Sequence, residues 1–194
     1  MATLRRLGVY CASSARVDVR YRDAATMLGR LAAEAEVEIV YGGGRVGLMG
    51  LLADAALAAG GRVTGVIPSH LYEREAGHTG LSELIVVASM HERKQRMFEL
   101  ADAFVTLPGG LGTLDETIEI MTWKQLGLHD KPLVIVDIAG YWAPLTALVD
   151  HAIASGFTTP TAREYFQVVT RADDVLPLIA ALPPSRHAGD SALV

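Results

Sequence analysis

Short, near-continuous runs of β-branched and aliphatic residues recur along this chain, and most are followed by a longer stretch rich in alanine and leucine. The runs 7–11, 37–41, 62–67, 83–87, 103–107 and 133–137 do not alternate polar with apolar, which is the pattern of strands buried on both faces. The stretches 18–36, 47–60, 90–101, 141–155 and 172–182 carry apolar residues at helical spacing; in the first of them Ala24, Ala25, Leu28, Leu31 and Ala32 share one side. Helices that follow buried strands carry the chain back along the sheet, so the strands pair in parallel. The expectation is an α/β fold with a doubly wound, mostly parallel sheet and helices on both faces. A short strand is expected at 166–169, and 68–81 reads as an ordered loop with one short helical turn. With 194 residues the chain suits one domain, taken as 1–182. Residues 183–194 hold Pro-Pro, glycine and polar residues without periodicity, which reads as a disordered tail.

Composition narrows the partners. A net charge of −5 and a pI near 5.6 supply no electrostatic footprint for nucleic acid or an anionic membrane. Cys11 is the only cysteine, which excludes an intrachain disulfide and a thiolate zinc site and fits a reducing compartment. The first residues lead straight into an apolar strand rather than a signal-peptide core, and no apolar run reaches membrane-spanning length, so a cytoplasmic location is expected. His70, His78, His91, His129, His151 and His187 are scattered without metal-ligand spacing, so no metal site is expected.

In a doubly wound sheet, ligands bind at the carboxyl ends of the strands. Three small-residue turns fall at such ends: 11–14 with Ser13 and Ser14, 42–50 with Gly42, Gly43 and Gly44, and 108–113. The last belongs to 106–122, which reads as strand end, glycine turn and helix. Pro108 cannot continue a strand ladder, and Gly109, Gly110 and Gly112 can take positive φ and let backbone N–H groups approach an anion. Thr113 is placed to cap the helix, Leu111 lies within the turn, and Glu116 follows in what reads as the first helical turn. The unpaired N–H groups and dipole of a helix N-terminus favour phosphate there. Neither glycine turn is a dinucleotide fingerprint, and no P-loop Gly-Lys-Ser/Thr occurs. A nucleotide or sugar phosphate is the ligand class these turns suit best. On spacing alone, Arg93 and Lys94 read as a basic helix surface, Cys11 as a packing residue, and Trp123 and Trp142 as apolar anchors.

Four motifs in combination, Tyr41-Gly42-Gly43-Gly44, Gly47-Leu48-Met49-Gly50, Met90-His91-Glu92-Arg93-Lys94 and Pro108-Gly109-Gly110-Leu111-Gly112-Thr113-Leu114-Asp115-Glu116, resemble the LONELY GUY (LOG) family. The stretches 122–127 and 129–132 and the pair Gly156-Phe157 extend the resemblance, which runs from about residue 4 to 182. That family comprises cytokinin riboside 5′-monophosphate phosphoribohydrolases, long labelled possible lysine decarboxylases. The resemblance implies a Rossmann-like fold, a homodimer or larger assembly, no cofactor, and hydrolysis of the N-glycosidic bond of an N6-modified AMP to free base and ribose 5-phosphate. By motif position it makes Arg93 and Glu116 the catalytic pair, and Lys94, the loop from Gly110 to Glu116, Thr122 and Glu75 nucleotide contacts. Met90, Pro108, Gly109, the Gly42 turn and Ser13 and Ser14 complete the candidate binding set. Ala12 stands where members often have glycine, a departure whose added methyl group alters the fit where the backbone beside Ser13 and Ser14 approaches a nucleotide.

The chemistry fits those residue types. Breaking a ribosyl C–N bond develops positive charge on the sugar, which a carboxylate stabilises, or a carboxylate activates the attacking water. Arg93 can grip a phosphate or ribose oxygen or orient Glu116. Glu119 shares the Glu116 face and is the reserve carboxylate, with a solvated or salt-bridged helix residue the preferred reading; Asp115 is expected to point elsewhere. Decarboxylation needs an electron-sink cofactor held through a lysine, for which no recognisable site exists. An AMP nucleosidase acting on unmodified AMP, and a non-catalytic nucleotide or molybdenum-cofactor carrier, are the alternatives.

Overall fold

The computed structural model describes residues 4–75 and 77–183, without the side chains of residues 73–75. In chain order the elements are β1 (Arg6–Tyr10), α1 (Val19–Glu34), β2 (Glu38–Tyr41), α2 (Gly47–Ala58), β3 (Val63–Pro68), α3 (Ser69–Glu75) and β4 (Glu83–Val87). There follow α4 (Met90–Leu100), β5 (Ala103–Thr106), α5 (Leu111–Gln125), β6 (Leu133–Val136), α6 (Ala143–Ala154), β7 (Gln167–Val169) and α7 (Val175–Ala181). The strands form one sheet in the order β4-β3-β2-β1-β5-β6-β7, and each neighbouring pair is parallel. The doubly wound expectation holds.

The central strands β1, β2, β3, β5 and β6 are buried over nearly their whole length because each face is covered, whereas β4, expected to be buried like them, lies with β7 at the sheet edges and is partly exposed. Leu7, Val9, Ile39, Ala103, Val105 and Val134 pack beneath α1, α2 and α7. Tyr10, Val40, Val66, Phe104, Leu133 and Ile135 pack beneath α4, α5 and α6. Phe104 is fully buried and stacks between Tyr10 at 5.7 Å and Phe98 at 5.9 Å; burying a side chain of this kind stabilises by about 1.5–3 kcal/mol. Gly8 on β1 leaves room for that ring, into which a Cβ would intrude.

The order places β2 and β5 on opposite sides of β1, so the chain leaving β1 and β5 diverges and opens a crevice at their carboxyl ends. The backbone of Ala12 ties the rim together: its N–H donates to the Pro108 carbonyl and its carbonyl accepts from the Met49 N–H, each at 3.2 Å. Gly47, at φ 73°, rests on the Ser13 backbone where no side chain fits.

Several local expectations are corrected. The segment 68–81 contains the seven-residue α3 rather than a single helical turn, and Pro68 still pairs with Val87 at the end of β3. Gly110, not Thr113, is the N-cap of α5 and contributes no side-chain cap; Thr113 is a buried residue of the first turn whose side chain fills the space beside Gly109. Because the helix begins at Leu111, Glu116 falls in its second turn. Gly109, Gly110 and Gly112 do not adopt positive φ; in the second turn Gly43 and Gly47 do. The expected tail lies outside the described residues beyond Pro183.

Candidate active site

Helices α4 and α5 lie on one face of the sheet and bring their N-terminal turns to its carboxyl edge. The start of α4 is set as the sequence suggested: the Ser89 hydroxyl accepts from the Glu92 N–H at 3.1 Å, and the Glu92 carboxylate accepts from the Ala88 N–H at 2.8 Å. One turn later Arg93 turns inward. Its side chain is only 11% exposed, its Nε donates to the Val66 carbonyl at 3.2 Å, and its Nη2 lies 3.3 Å from Glu116 Oε1. The guanidinium occupies the space above Gly42 that a Cβ would take.

Glu116 is 6% exposed, and its pKa is pushed up to about 7. Burial is the largest cause; Arg93 pulls the other way without overcoming it, and Asp115 and Glu119 add to the rise. A carboxyl poised there holds both protonation states in appreciable amount near neutrality, as a general acid or base requires. Beneath the pair lie Tyr10 and Cys11, both buried. Burial, with the Glu116 charge beside it, raises the Cys11 thiol far above its ordinary range, so it is no nucleophile.

Lys94 follows Arg93 but serves a different contact. Its Nζ bridges Glu119 at 2.9 Å and Asp115 at 3.1 Å, bracing α4 against α5. Burial lowers its pKa, yet the hydrogen bonds to the two carboxylates outweigh this and leave it raised. Glu119 is thus salt-bridged, and Asp115, expected to point elsewhere, shares the same Lys94 ammonium and acts on Glu116 more strongly than Glu119 does.

The glycine turns have different reasons for their glycines. Gly42 admits Arg93, Gly43 needs its positive φ and accepts from the His78 N–H at 3.2 Å, and Gly44 admits Met49 while accepting from the Tyr41 hydroxyl at 3.1 Å. At Gly110 and Gly112 a Cβ would meet nothing within 4 Å among the described residues, and neither φ demands glycine. Open space there is what an anion at a helix N-terminus needs. Carbonyls of this loop are tied back: Pro108 by Ala12, Gly109 by the Tyr141 hydroxyl at 2.6 Å, and Gly110 by the Leu114 N–H at 3.0 Å.

The structure thus brings together Arg93, Glu116 and the Gly42 turn, with Met90 Sδ 3.8 Å from Arg93 Nη1. Pro108, Gly109, Gly110, Leu111, Gly112 and Thr113 form the turn and first helical residues ahead of Glu116. Ser13 and Ser14 are exposed on the β1 loop, where the Ser14 hydroxyl accepts from the Arg16 N–H at 3.3 Å. A cleft of about 730 Å³ opens beside Ser14 on the side of α1 and α2, lined also by Arg22, Arg45 and Asp54; it includes neither Arg93 nor Glu116. Thr122 is not brought to the pair: it lies roughly 9 Å further along α5 and donates to the Ile118 carbonyl at 2.7 Å. Glu75 ends α3, and its side chain lies outside the described residues. Sequence reasoning missed Tyr141, whose only signal is its position just past the end of β6. Among the described residues no cluster of three histidine, cysteine or acidic side chains could hold a metal ion.

The family described as possible lysine decarboxylase matches residues 49–179. The cytokinin riboside 5′-monophosphate phosphoribohydrolase of Rhodococcoides fascians is 48% identical over 162 residues, covering 83% of this chain and 82% of that protein. LOG1 of Arabidopsis thaliana, which carries the same enzyme name, is 42% identical over 180 residues, covering 89% and 84%. Among solved structures, the molybdenum cofactor binding protein from Rippkaea orientalis superposes with a TM-score of 0.69 at 18% identity, over 93% of this chain and 98% of that one, a likeness of fold alone. With the family matched over most of its length and relatives above 40% identity aligned along the same stretch, the chain belongs to the LOG family, the cytokinin riboside 5′-monophosphate phosphoribohydrolases that also carry the description possible lysine decarboxylase.

Proposed function

We propose that this chain hydrolyses the N-glycosidic bond of N6-modified adenosine 5′-monophosphate, a cytokinin riboside 5′-monophosphate, to the free base and ribose 5-phosphate. The observation that carries the reading is the buried Arg93–Glu116 pair, its carboxyl at about 7, beside a glycine turn open to an anion. In the proposed reaction the bond between ribose C1′ and the base nitrogen breaks, the electron pair leaves with the base, and the oxygen of a water molecule bonds to C1′. The Glu116 carboxylate offsets positive charge on the sugar and takes the proton the water releases, and the base gains a proton overall. Arg93 holds Glu116 in place, and the N–H groups at the start of α5 anchor the 5′-phosphate. No cofactor or metal enters this scheme.

Pro108, Gly109, Leu111, Thr113 and the Gly42–Gly44 turn shape the binding set, with Met90 beside Arg93. Lys94, Glu75, Thr122, Ser13 and Ser14 are proposed contacts on family position. Exposed Leu111 and Ile118 on α5 and Leu126 just past it support a homodimer or larger assembly, checked by sedimentation. No described helix is long and apolar enough to cross a membrane, and the single, buried cysteine supports a cytoplasmic location.

The test is chromatographic base release from N6-isopentenyl-AMP, AMP and the N6-modified nucleoside without phosphate, with wild type and Glu116→Gln. Fast release from the N6-modified monophosphate, reduced roughly 10²- to 10⁴-fold in the variant while nucleotide binding persists, is expected. Preference for plain AMP would make the enzyme an AMP nucleosidase, and a fully active variant would remove Glu116 from the mechanism.

A further inference from the structure

After β6 the chain turns sharply. Ala139, at φ 53°, and Gly140, at φ 78°, are successive left-handed residues, and the Asp137 carboxylate accepts from the Trp142 N–H at 2.6 Å. A non-glycine residue in that region is uncommon, and such backbone persists where the surroundings require it. The turn sends Tyr141 back over the crevice toward β5. Its ring is gripped edge-on by Tyr21 of α1 at 5.5 Å and by Trp142 at 4.9 Å, so the hydroxyl has a fixed position. That hydroxyl donates to the Gly109 carbonyl at 2.6 Å.

We propose that Tyr141 is the positioning residue of the phosphate turn, holding the Gly109–Gly110 peptide so that its N–H faces the ligand. A trans peptide is planar, with its C=O and N–H directed oppositely, so fixing the Gly109 oxygen on Tyr141 aims the Gly110 N–H the other way. Between two glycines that peptide is otherwise nearly free to rotate, and rotated it would present a carbonyl dipole to an anion. The neighbouring Pro108 and Gly110 carbonyls are already held by Ala12 and Leu114, which leaves Gly109 as the oxygen that a side chain must secure. The N–H groups of Leu111, Gly112 and Thr113 follow at the start of α5, where no helical carbonyl is available to them. Tyr141 therefore governs recognition of the 5′-phosphate without touching the reacting atoms.

This inference rests on the phosphate-binding role proposed above, and its test separates the two. Tyr141→Phe keeps the ring and both aromatic contacts and removes the hydroxyl. By calorimetry on the full chain, AMP affinity is expected to fall about five- to tenfold, the scale of one hydrogen bond, while adenosine binds wild type and variant alike. With N6-isopentenyl-AMP, KM rises by a similar factor and kcat holds. Unchanged AMP affinity overturns the proposal, as does an equal loss for AMP and adenosine, which a general loosening of the site would produce. A wild type that binds AMP no better than adenosine overturns it too. Titrating wild type with inorganic phosphate gives a check independent of the variant: the Gly110 and Leu111 amide resonances shift, and their staying fixed counts against the proposal. Since the binding arm needs no turnover, a wild type that binds AMP but releases no base from N6-isopentenyl-AMP or AMP refutes the hydrolase reading and leaves the Tyr141 result standing.

Discussion

Glu116 combines two properties that conflict in water, a nearby guanidinium and a pKa of about 7. The conflict resolves because desolvation of a carboxylate on this scale exceeds what one arginine at 3.3 Å returns. With the carboxylate as the working form, kcat/KM should rise with pH through about 7 and flatten above it, and a pH–rate profile on the free enzyme reads this directly. A rate that fell over that range would make the protonated acid the working form. Gly42 belongs to the same device. A methyl group there would displace the Arg93 guanidinium, so Gly42→Ala should lower kcat on the order of a hundredfold, as a shift of about 1 Å in a catalytic group does. The glycine was visible in the sequence but its reason was not, because the atom that needs the space arrives from α4, and nothing local in 41–44 marks it.

At the scale of elements, the strand-to-helix rhythm was legible because buried strands and amphipathic helices differ in period, and Ser89 announced α4. The start of α5 was misread by the same logic. Threonine is a good cap in general, but Gly110 is the N-cap and Thr113 turns its side chain inward beside Gly109. The brace from Lys94 to Asp115 and Glu119 joins two helices and could be seen only once they were packed. Helix α5 also yields a prediction in which stability and binding part. Gly112 lies inside the helix with open space beside it, so Gly112→Ala should stabilise the fold by roughly 0.5–1 kcal/mol in chemical denaturation. The same methyl enters the space assigned to phosphate, and AMP affinity should fall. Unchanged affinity would mean that Gly112 is a helix glycine and nothing more.

For the whole molecule, the buried carboxyl makes stability depend on pH. An unfolded glutamate ionises near 4.5, whereas Glu116 in the fold holds its proton to about 7. The stabilisation is fully present below about 4.5 and is lost as pH rises to about 7, a fall of about 2–4 kcal/mol. His129, buried against the Ile120 carbonyl with its pKa lowered to about 4, slopes the opposite way, its contribution being lost as pH falls from about 6.5. Unfolding midpoints of wild type and Glu116→Gln from pH 5 to 8 separate the two: the variant should keep the histidine slope and lose the carboxylate one. Identical profiles would show that Glu116 does not titrate as buried.

The central strand has a consequence for how the molecule is made. β1 pairs with β2 on one edge and with β5 on the other, where Leu7 lies opposite Ala103. During synthesis the second edge of β1 stays unpaired until β5 leaves the ribosome, roughly 5–20 s after β1 at ordinary rates of elongation. For that interval an apolar strand edge is exposed to neighbouring nascent chains, and neither the crevice nor the phosphate turn exists. Fusions or truncations that stop after β4 should therefore aggregate rather than yield a smaller nucleotide-binding unit.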